Sequence, residues 1–171
     1  GLSIDTRTLE PGDAFVALRG GQLEDRHEFL DDAVQAGASA VVVEDAVDLP
    51  VATVRVASTR RTLPAMAARF YDAPARSLRM VGVTGTNGKT TTTYLIRAIL
   101  EAHGLSTGLV GTVEYQIGSL YVASANTTPE AHRLQSLLRQ MVDAGNEAAV
   151  LEVSSHGLGL HRVDGIRFEQ A

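Results

Sequence analysis

The sequence has no cysteine. This excludes disulfides, thiolate zinc sites and a cysteine nucleophile, and it suits a reducing compartment. Lysine is nearly missing too: of 15 basic residues, all but Lys89 are arginine. Positive charge is in deficit, with 20 acidic residues and a net charge of −5, which argues against nonspecific nucleic-acid binding. Any anionic ligand must then be held by local groups. No apolar run approaches the roughly 20 residues that span a bilayer, and no charged-then-apolar leader precedes Gly1. The chain reads as cytoplasmic, with no nucleic-acid or membrane partner. What remains is ordinary for a globular protein, 44% hydrophobic and 20% charged over 171 residues, enough for one domain or two small ones.

The stretch with the most local information is Val81-Gly82-Val83-Thr84-Gly85-Thr86-Asn87-Gly88-Lys89-Thr90-Thr91. An apolar strand enters a glycine turn, and Leu95, Ala98, Ile99 and Ala102 then recur at i, i+3, i+4, i+7, the spacing of an amphipathic helix stopped by Gly104. Strand, glycine turn and helix together read as a phosphate-binding loop. Gly85 and Gly88 let backbone N–H groups turn inward toward a polyphosphate at the helix N-terminus. Lys89 supplies a compact charge for the phosphates, and the Thr90 hydroxyl is placed to ligate Mg²⁺. The strict G-x-x-x-x-G-K-[ST] pattern is broken, because Val83 stands at its first glycine. A glycine turn with an incidental Lys-Thr is the bland alternative.

Before the loop, Leu2–Ile4 and Ala14–Leu18 read as two strands joined by a turn at Pro11-Gly12-Asp13. A helix follows, with Phe29, Leu30, Ala33 and Val34 on one face and Gly37 at its end. Ala40–Val43 and Val51–Val56 read as strands. Ser58 or Thr59 caps a second helix, whose face is Leu63, Met66, Ala67 and Phe70. The segment around Pro74 suggests a domain boundary, giving residues 1–76 and 77–171.

After the loop helix come a strand at Thr107–Thr112 and a hairpin of Val113–Ile117 with Leu120–Ala123. A helix start follows at Thr127-Thr128-Pro129-Glu130, with a hydroxyl cap, and that helix has Leu134, Leu137, Leu138, Met141 and Val142 as its core face. Ala148–Leu151 is a buried-strand pattern ending in Glu152. The alternation predicts an α/β fold: a small α/β domain, then a parallel sheet carrying ligands at its C-terminal strand ends. Gly85 and Glu152 both stand at such ends, so Glu152 is a candidate second Mg²⁺ ligand beside Thr90. A strand-end carboxylate paired with an arginine is the alternative reading of Glu152.

Three stretches together, Gly85–Thr91, Asn126-Thr127-Thr128-Pro129 and Glu152-Val153-Ser154-Ser155-His156-Gly157-Leu158 with Arg162, resemble the Mur ligases, and among them the UDP-N-acetylmuramoyl-tripeptide synthetases. The opening Asp5-Thr6-Arg7 and Pro11–Leu18 resemble that family's uridine-binding first domain, so the likeness covers essentially the whole chain. The resemblance implies an ATP-dependent ligase of peptidoglycan synthesis: ATP phosphorylates the terminal carboxylate of UDP-MurNAc-L-Ala-D-Glu, and the amine of a diamino acid attacks the acyl phosphate.

Carried over by position, Gly85, Thr86, Asn87, Gly88, Lys89, Thr90 and Thr91 bind ATP, Thr90 and Glu152 hold Mg²⁺, and Lys89 and Glu152 are the catalytic pair. Asn126, Thr127, Thr128, Ser154 and Arg162 contact the phosphates and sugar of the UDP substrate, while Ile4, Thr6, Gly21, Gln22 and Leu23 line its uridine end. The family pattern is departed from at Thr6, where serine is common, at Glu24-Asp25 in the first loop, and at Leu160, a place often taken by a polar substrate contact. The family also continues past the position of Ala171 into the rest of a central domain and a third domain that binds the amino acid. The resemblance therefore implies a fragment, inactive by itself, of a monomeric enzyme.

Overall fold

In a computed structural model the structure describes residues 1–19 and 25–171. They form two compact units, Gly1–Leu63 and Pro64–Ala171, divided inside one helix, whereas the sequence suggests a boundary at 76/77.

The first unit is a parallel sheet in chain order of β1 (Leu2–Ser3), β2 (Ala14–Val16), β3 (Ala40–Val43) and β4 (Ala52–Arg55). The first two strands are not a hairpin: Leu2 lies beside Ala14 and Ser3 beside Phe15, in parallel. Residues 4–13 contain two reversals, one closed by the Thr8 N–H on the Asp5 carbonyl and one by the Asp13 N–H on the Glu10 carbonyl. The second reversal returns the chain to the end where β1 began. After a 3-10 turn at Arg26–Phe29, α1 (Leu30–Gln35) packs Leu30 and Ala33 against Phe15, Val41 and Val43. Gly37, at φ 95°, ends it in a conformation that side chains disfavour. The edge strand β4 is exposed along its length.

The dividing helix, α2 (Thr59–Phe70), starts at Ser58, whose hydroxyl accepts from the Arg61 N–H. Leu63 and Ala67 are buried as their spacing predicts, but Phe70 of the same predicted face is 53% exposed.

The second unit is a five-stranded sheet ordered β5-β9-β6-β7-β8, from β5 (Arg79–Val83), β6 (Thr107–Val110), β7 (Glu114–Ile117), β8 (Leu120–Ala123) and β9 (Ala148–Glu152). The strands β5, β9 and β6 are parallel, and β7 and β8 form the expected antiparallel hairpin, so the sheet is mixed rather than parallel throughout. Strand β9, between β5 and β6, is buried at every residue. Helix α4 (Ala131–Asp143) sends Leu134, Leu137, Leu138 and Met141 into the core, as predicted, with Val142 partly buried beside them. Its start differs from the expectation: the N-cap is Glu130, without a side-chain cap bond. Pro129 disfavours helical geometry in the residue before it, so Thr127 and Thr128 stay outside the helix and their hydroxyls are used elsewhere.

Helix α3 (Lys89–Ala102) also departs from its pattern. Its fully buried side chain is Thr93, while Leu95 and Ile99 of the predicted apolar face are 60% and 58% exposed. At the end of the chain, Glu169 N–H donates to Met80 O and Gly82 N–H to Gln170 O, so the last residues run along the outer edge of β5.

Candidate nucleotide and metal site

The order β5-β9-β6 sets the C-terminal ends of three parallel strands side by side, with Val83 in register with Glu152. Each end hands the chain to a polar loop: 84–88 after β5, 111–113 after β6, 153–154 after β9.

The first loop turns at Gly85 (φ 145°) and Gly88 (φ 81°), both in the region that favours glycine, and Gly88 is the N-cap of α3. Thr84, Thr86, Asn87 and Thr91 are exposed around it. Lys89 folds back so that Nζ donates to the Gly85 carbonyl at 2.8 Å, which keeps the ammonium over the loop. Thr90, one residue further into the helix, points its hydroxyl across to β9 and donates to Glu152 Oε2 at 3.0 Å.

Glu152 is 1% exposed. A carboxylate at that depth needs compensation, which here comes from hydroxyl and amide donors rather than an arginine. Thr112 N–H donates to Oε1 at 3.0 Å and the Thr112 hydroxyl to Oε2 at 3.1 Å, beside the Thr90 bond. Two hard oxygen donors, Thr90 Oγ1 and Glu152 Oε2, therefore stand together at the mouth of the glycine loop. This set suits Mg²⁺, which takes one or two protein oxygens and completes its shell with phosphate and water. Among the described residues no cluster of three or more His, Asp or Glu is placed to hold a metal by protein groups alone.

The second predicted group gathers around the backbone of Glu152 and around Thr112. The Thr128 hydroxyl donates to the Glu152 carbonyl at 2.9 Å and accepts from the Ser154 N–H at 3.0 Å. Its only hydrogen is thereby used, so Ser154 Oγ is the donor in their 3.2 Å contact; that oxygen also accepts the Gly157 N–H and caps α5 (Ser155–Gly159). Thr127 Oγ1 lies 3.0 Å from Thr112 Oγ1.

Arg162 is turned inward. Nε and Nη2 donate to Glu130 Oε1 at 3.0 and 2.7 Å, and Nη1 donates to the Thr128 carbonyl at 2.8 Å. Its guanidinium thus braces the 127–130 loop. The Asn126 side chain is exposed while its backbone is tied to the Tyr115 hydroxyl. Leu160 is half-buried, and His156, for which the sequence supports no base role, is exposed.

In the first unit Ile4 and Thr6 are half-buried in the turn after β1, where Ser3 Oγ accepts the Asp5 N–H. The predicted contacts Gly21, Gln22 and Leu23 lie outside the described residues. Arg19 and Asp25, on either side of them, are joined at 2.8 Å, and Arg19 also pairs with Asp45. His27 donates from Nδ1 to Asp25 at 2.6 Å, because its Nε2 accepts the Glu44 N–H at 2.9 Å and must be unprotonated.

Sequence reasoning missed Gly111, Thr112, Tyr115 and Glu130. The first two were findable, since a glycine and a hydroxyl directly after a strand of a parallel sheet occupy the place where ligands gather.

The Mur ligase middle domain matches residues 83–171, more than half of the chain. The chain belongs to the Mur ligase family. Relatives similar over the whole chain include the UDP-N-acetylmuramoyl-L-alanyl-D-glutamate–2,6-diaminopimelate ligase of Clostridium perfringens (strain 13 / Type A), 44% identical over 99% of this chain and 35% of that protein. The UDP-N-acetylmuramyl-tripeptide synthetase of Roseiflexus sp. (strain RS-1) is 45% identical over 100% of this chain and 35% of its own length. A solved UDP-N-acetylmuramoyl-L-alanyl-D-glutamate–2,6-diaminopimelate ligase superposes with a TM-score of 0.82 at 31% identity, over 99% of this chain and 34% of that one. The MurF ligase from Thermotoga maritima, solved in complex with ADP, gives 0.61 at 26% identity, over 93% and 34%. The chain spans about a third of the length of the curated relatives it matches. Within this Mur ligase chain, the middle-domain match begins at Val83, the last residue of β5, and takes in the glycine loop, Thr112, Thr127-Thr128 and Glu152. No helix among the described residues is long and apolar enough to cross a membrane.

Proposed function

We propose that this chain is the opening third of an ATP-dependent amide ligase that joins a diamino acid to UDP-MurNAc-L-Ala-D-Glu in peptidoglycan synthesis. One observation carries the reading: the hydroxyl of Thr90, next to the chain's only lysine, meets the buried carboxylate of Glu152 at 3.0 Å, at the ends of neighbouring parallel strands. Loop amides, an ammonium and a paired hydroxyl and carboxylate are the groups that phosphoryl transfer asks of a protein.

In this reading, residues 85–91 hold the triphosphate of ATP, with the N-terminus of α3 and Lys89 facing the transferred phosphate. Thr90 and Glu152 hold Mg²⁺. Held by these two oxygens, Mg²⁺ would supply positive charge against the negative charge that develops on the transferred phosphoryl group. The γ-phosphoryl group passes to the terminal carboxylate of the dipeptide and leaves ADP; the amine then displaces phosphate from the acyl phosphate to form the amide. The chain's own work is positioning and charge neutralisation. Thr127, Thr128, Ser154 and Asn126 face the diphosphate and sugar, Arg162 shapes their loop through Glu130 and the Thr128 carbonyl, and Ile4, Thr6 and residues 21–23 take the uridine. The enzyme works as a monomer in the cytoplasm, without nucleic acid or membrane partners.

The test uses the full-length protein that carries this chain, with UDP-MurNAc-L-Ala-D-Glu, ATP, Mg²⁺ and 2,6-diaminopimelate, followed by mass spectrometry of the product. Tripeptide formation with equimolar ADP is expected, and Lys89→Ala should lower it by roughly 10²-fold or more. Turnover of that variant within about twofold of wild type, against that scale, would remove the loop from the mechanism.

A further inference from the structure

The carboxylate of Glu152 receives three donors, and two of them come from one residue, Thr112. The chain comes very close for this: a Cβ on Gly111 would stand 2.5 Å from Glu152 Oε1, so any other residue there would push the carboxylate from its present place beside the Thr112 amide. Thr112 itself is exposed, with its hydroxyl at the edge of the site and not in the core.

Proton counting gives the hydroxyl a direction. Thr112 has one hydroxyl hydrogen and two neighbours for it, Glu152 Oε2 at 3.1 Å and Thr127 Oγ1 at 3.0 Å. A carboxylate that takes three donors only accepts, whereas a threonine hydroxyl can do either. The hydrogen of Thr112 therefore goes to Glu152, the stronger acceptor, and Thr127 is left to donate to Thr112. The result is an ordered chain, Thr127 to Thr112 to Glu152, running from the loop before α4 to the carboxylate beside the glycine loop.

We propose that Thr112 is a positioning residue: it fixes the plane of the Glu152 carboxylate for a divalent cation and sets the direction of the Thr127 hydroxyl. When the Thr90 hydroxyl turns to a cation, the two bonds from Thr112 remain as the protein's hold on the carboxylate. A cation on Glu152 also weakens its pull on the Thr112 hydrogen, and through Thr112 frees Thr127 to donate to an anionic substrate group. Thr112 thereby links the cation end of the site to the loop of Thr127 and Thr128.

The inference rests on the ligase reading only in placing a divalent cation at Thr90 and Glu152, and its test is a binding measurement. Mn²⁺ is titrated by electron paramagnetic resonance into the full-length protein with a non-hydrolysable ATP analogue, for wild type, Thr112→Val and Thr112→Ser. Valine keeps the amide and the branched shape but removes the hydroxyl; serine keeps the hydroxyl. Thr112→Val should weaken Mn²⁺ about tenfold, the low end of what loss of a ligand-orienting partner costs, with its melting temperature near wild type, and Thr112→Ser should bind within about twofold of wild type. In calorimetry with UDP-MurNAc-L-Ala-D-Glu, the losses from Thr112→Val and Thr127→Val should be less than additive in the double variant, because the two hydroxyls share one link, although Thr127→Val also removes a direct substrate contact.

Wild-type Mn²⁺ affinity in Thr112→Val, or a tenfold loss in Thr112→Ser, overturns the proposal. The serine variant keeps it falsifiable should the valine variant fold poorly. A wild-type protein that binds Mn²⁺ with the analogue yet forms no tripeptide would sink the ligase reading, and the valine and serine titrations would still decide the role of Thr112. A wild-type protein that binds no Mn²⁺ with the analogue overturns the proposal itself.

Discussion

Asp5 is a charged residue whose behaviour follows from local chemistry alone. The Arg7 side chain donates to both carboxylate oxygens, the Arg7 N–H adds a third bond, and Arg26 lies 3.9 Å away. The Arg7 hydrogen bonds outweigh the opposing effect of partial burial and hold the Asp5 carboxyl at about 2, below its ordinary 3.8. The sign follows: a carboxyl whose folded value lies below its unfolded one contributes stability in full above 3.8 and loses it as pH falls through about 2. Because the Arg7 side chain is 81% exposed, solvent screens the pair and leaves it a small part of the fold's stability. Thermal melts of Asp5→Asn should accordingly show a shallower fall in stability than wild type between about pH 4 and pH 2. Parallel slopes would place the acid sensitivity elsewhere. The same scale shows what a sequence exposes. Lys89, Thr90 and Glu152 were legible because each is a distinctive group at a strand or helix end, whereas Thr112 carries its role through a main-chain amide and a common hydroxyl whose partner is 40 residues away.

At the scale of elements, hydrophobic spacing reports that a helix has an apolar stripe, and packing decides whether the stripe is covered. Helices α3 and α4 make the contrast. Leu134, Leu137, Leu138 and Met141 of α4 are 0% exposed, whereas Leu95 and Ile99 of α3 lie largely open and the helix seats Thr93 against the sheet. Leu138→Ala should then cost about 2–5 kcal/mol, the loss from a buried leucine that leaves a cavity, while Leu95→Ala should change stability by about 0.5 kcal/mol or less. Chemical denaturation of the two variants checks this, and a large loss for Leu95→Ala would mean that its stripe is covered in the folded protein. Turn chemistry was likewise half legible. Gly118-Ser119 marked the β7–β8 hairpin, but Pro11-Gly12 did not reveal that an earlier reversal at Asp5–Thr8 makes β1 and β2 parallel. The start of α4 was misplaced for a related reason: the hydroxyls of Thr127 and Thr128, which look like caps, are taken by Thr112, Glu152 and Ser154 in the strand-end loops.

For the whole molecule, the groups proposed to meet ATP fall in one of the two units. The glycine loop, Thr90, Thr112 and Glu152 all belong to Pro64–Ala171, whose core runs through Met80, Leu134, Leu138 and Leu151. The unit Gly1–Leu63 has its own core of Phe15, Leu30, Ala33, Val41 and Val43, and contributes none of those groups. The two successive α/β patterns in the sequence suggest two units. The structure divides them inside α2, which carries buried residues on both sides of the division, Leu63 before and Ala67 after. Binding of ATP should therefore slow exchange in one unit alone. Hydrogen exchange of the full-length protein with Mg²⁺ and a non-hydrolysable ATP analogue should protect amides from Gly85 to Thr93 and around Thr112, since a bound state suppresses the local openings through which those amides exchange. The amides of β2 and β3 should keep their rates. UDP-MurNAc-L-Ala-D-Glu, by contrast, should protect the turn from Ile4 to Thr8, where the uridine contacts are assigned. Protection of β2 and β3 by the ATP analogue, or none at Ile4–Thr8 with the UDP compound, would show that the ligands have been given to the wrong units.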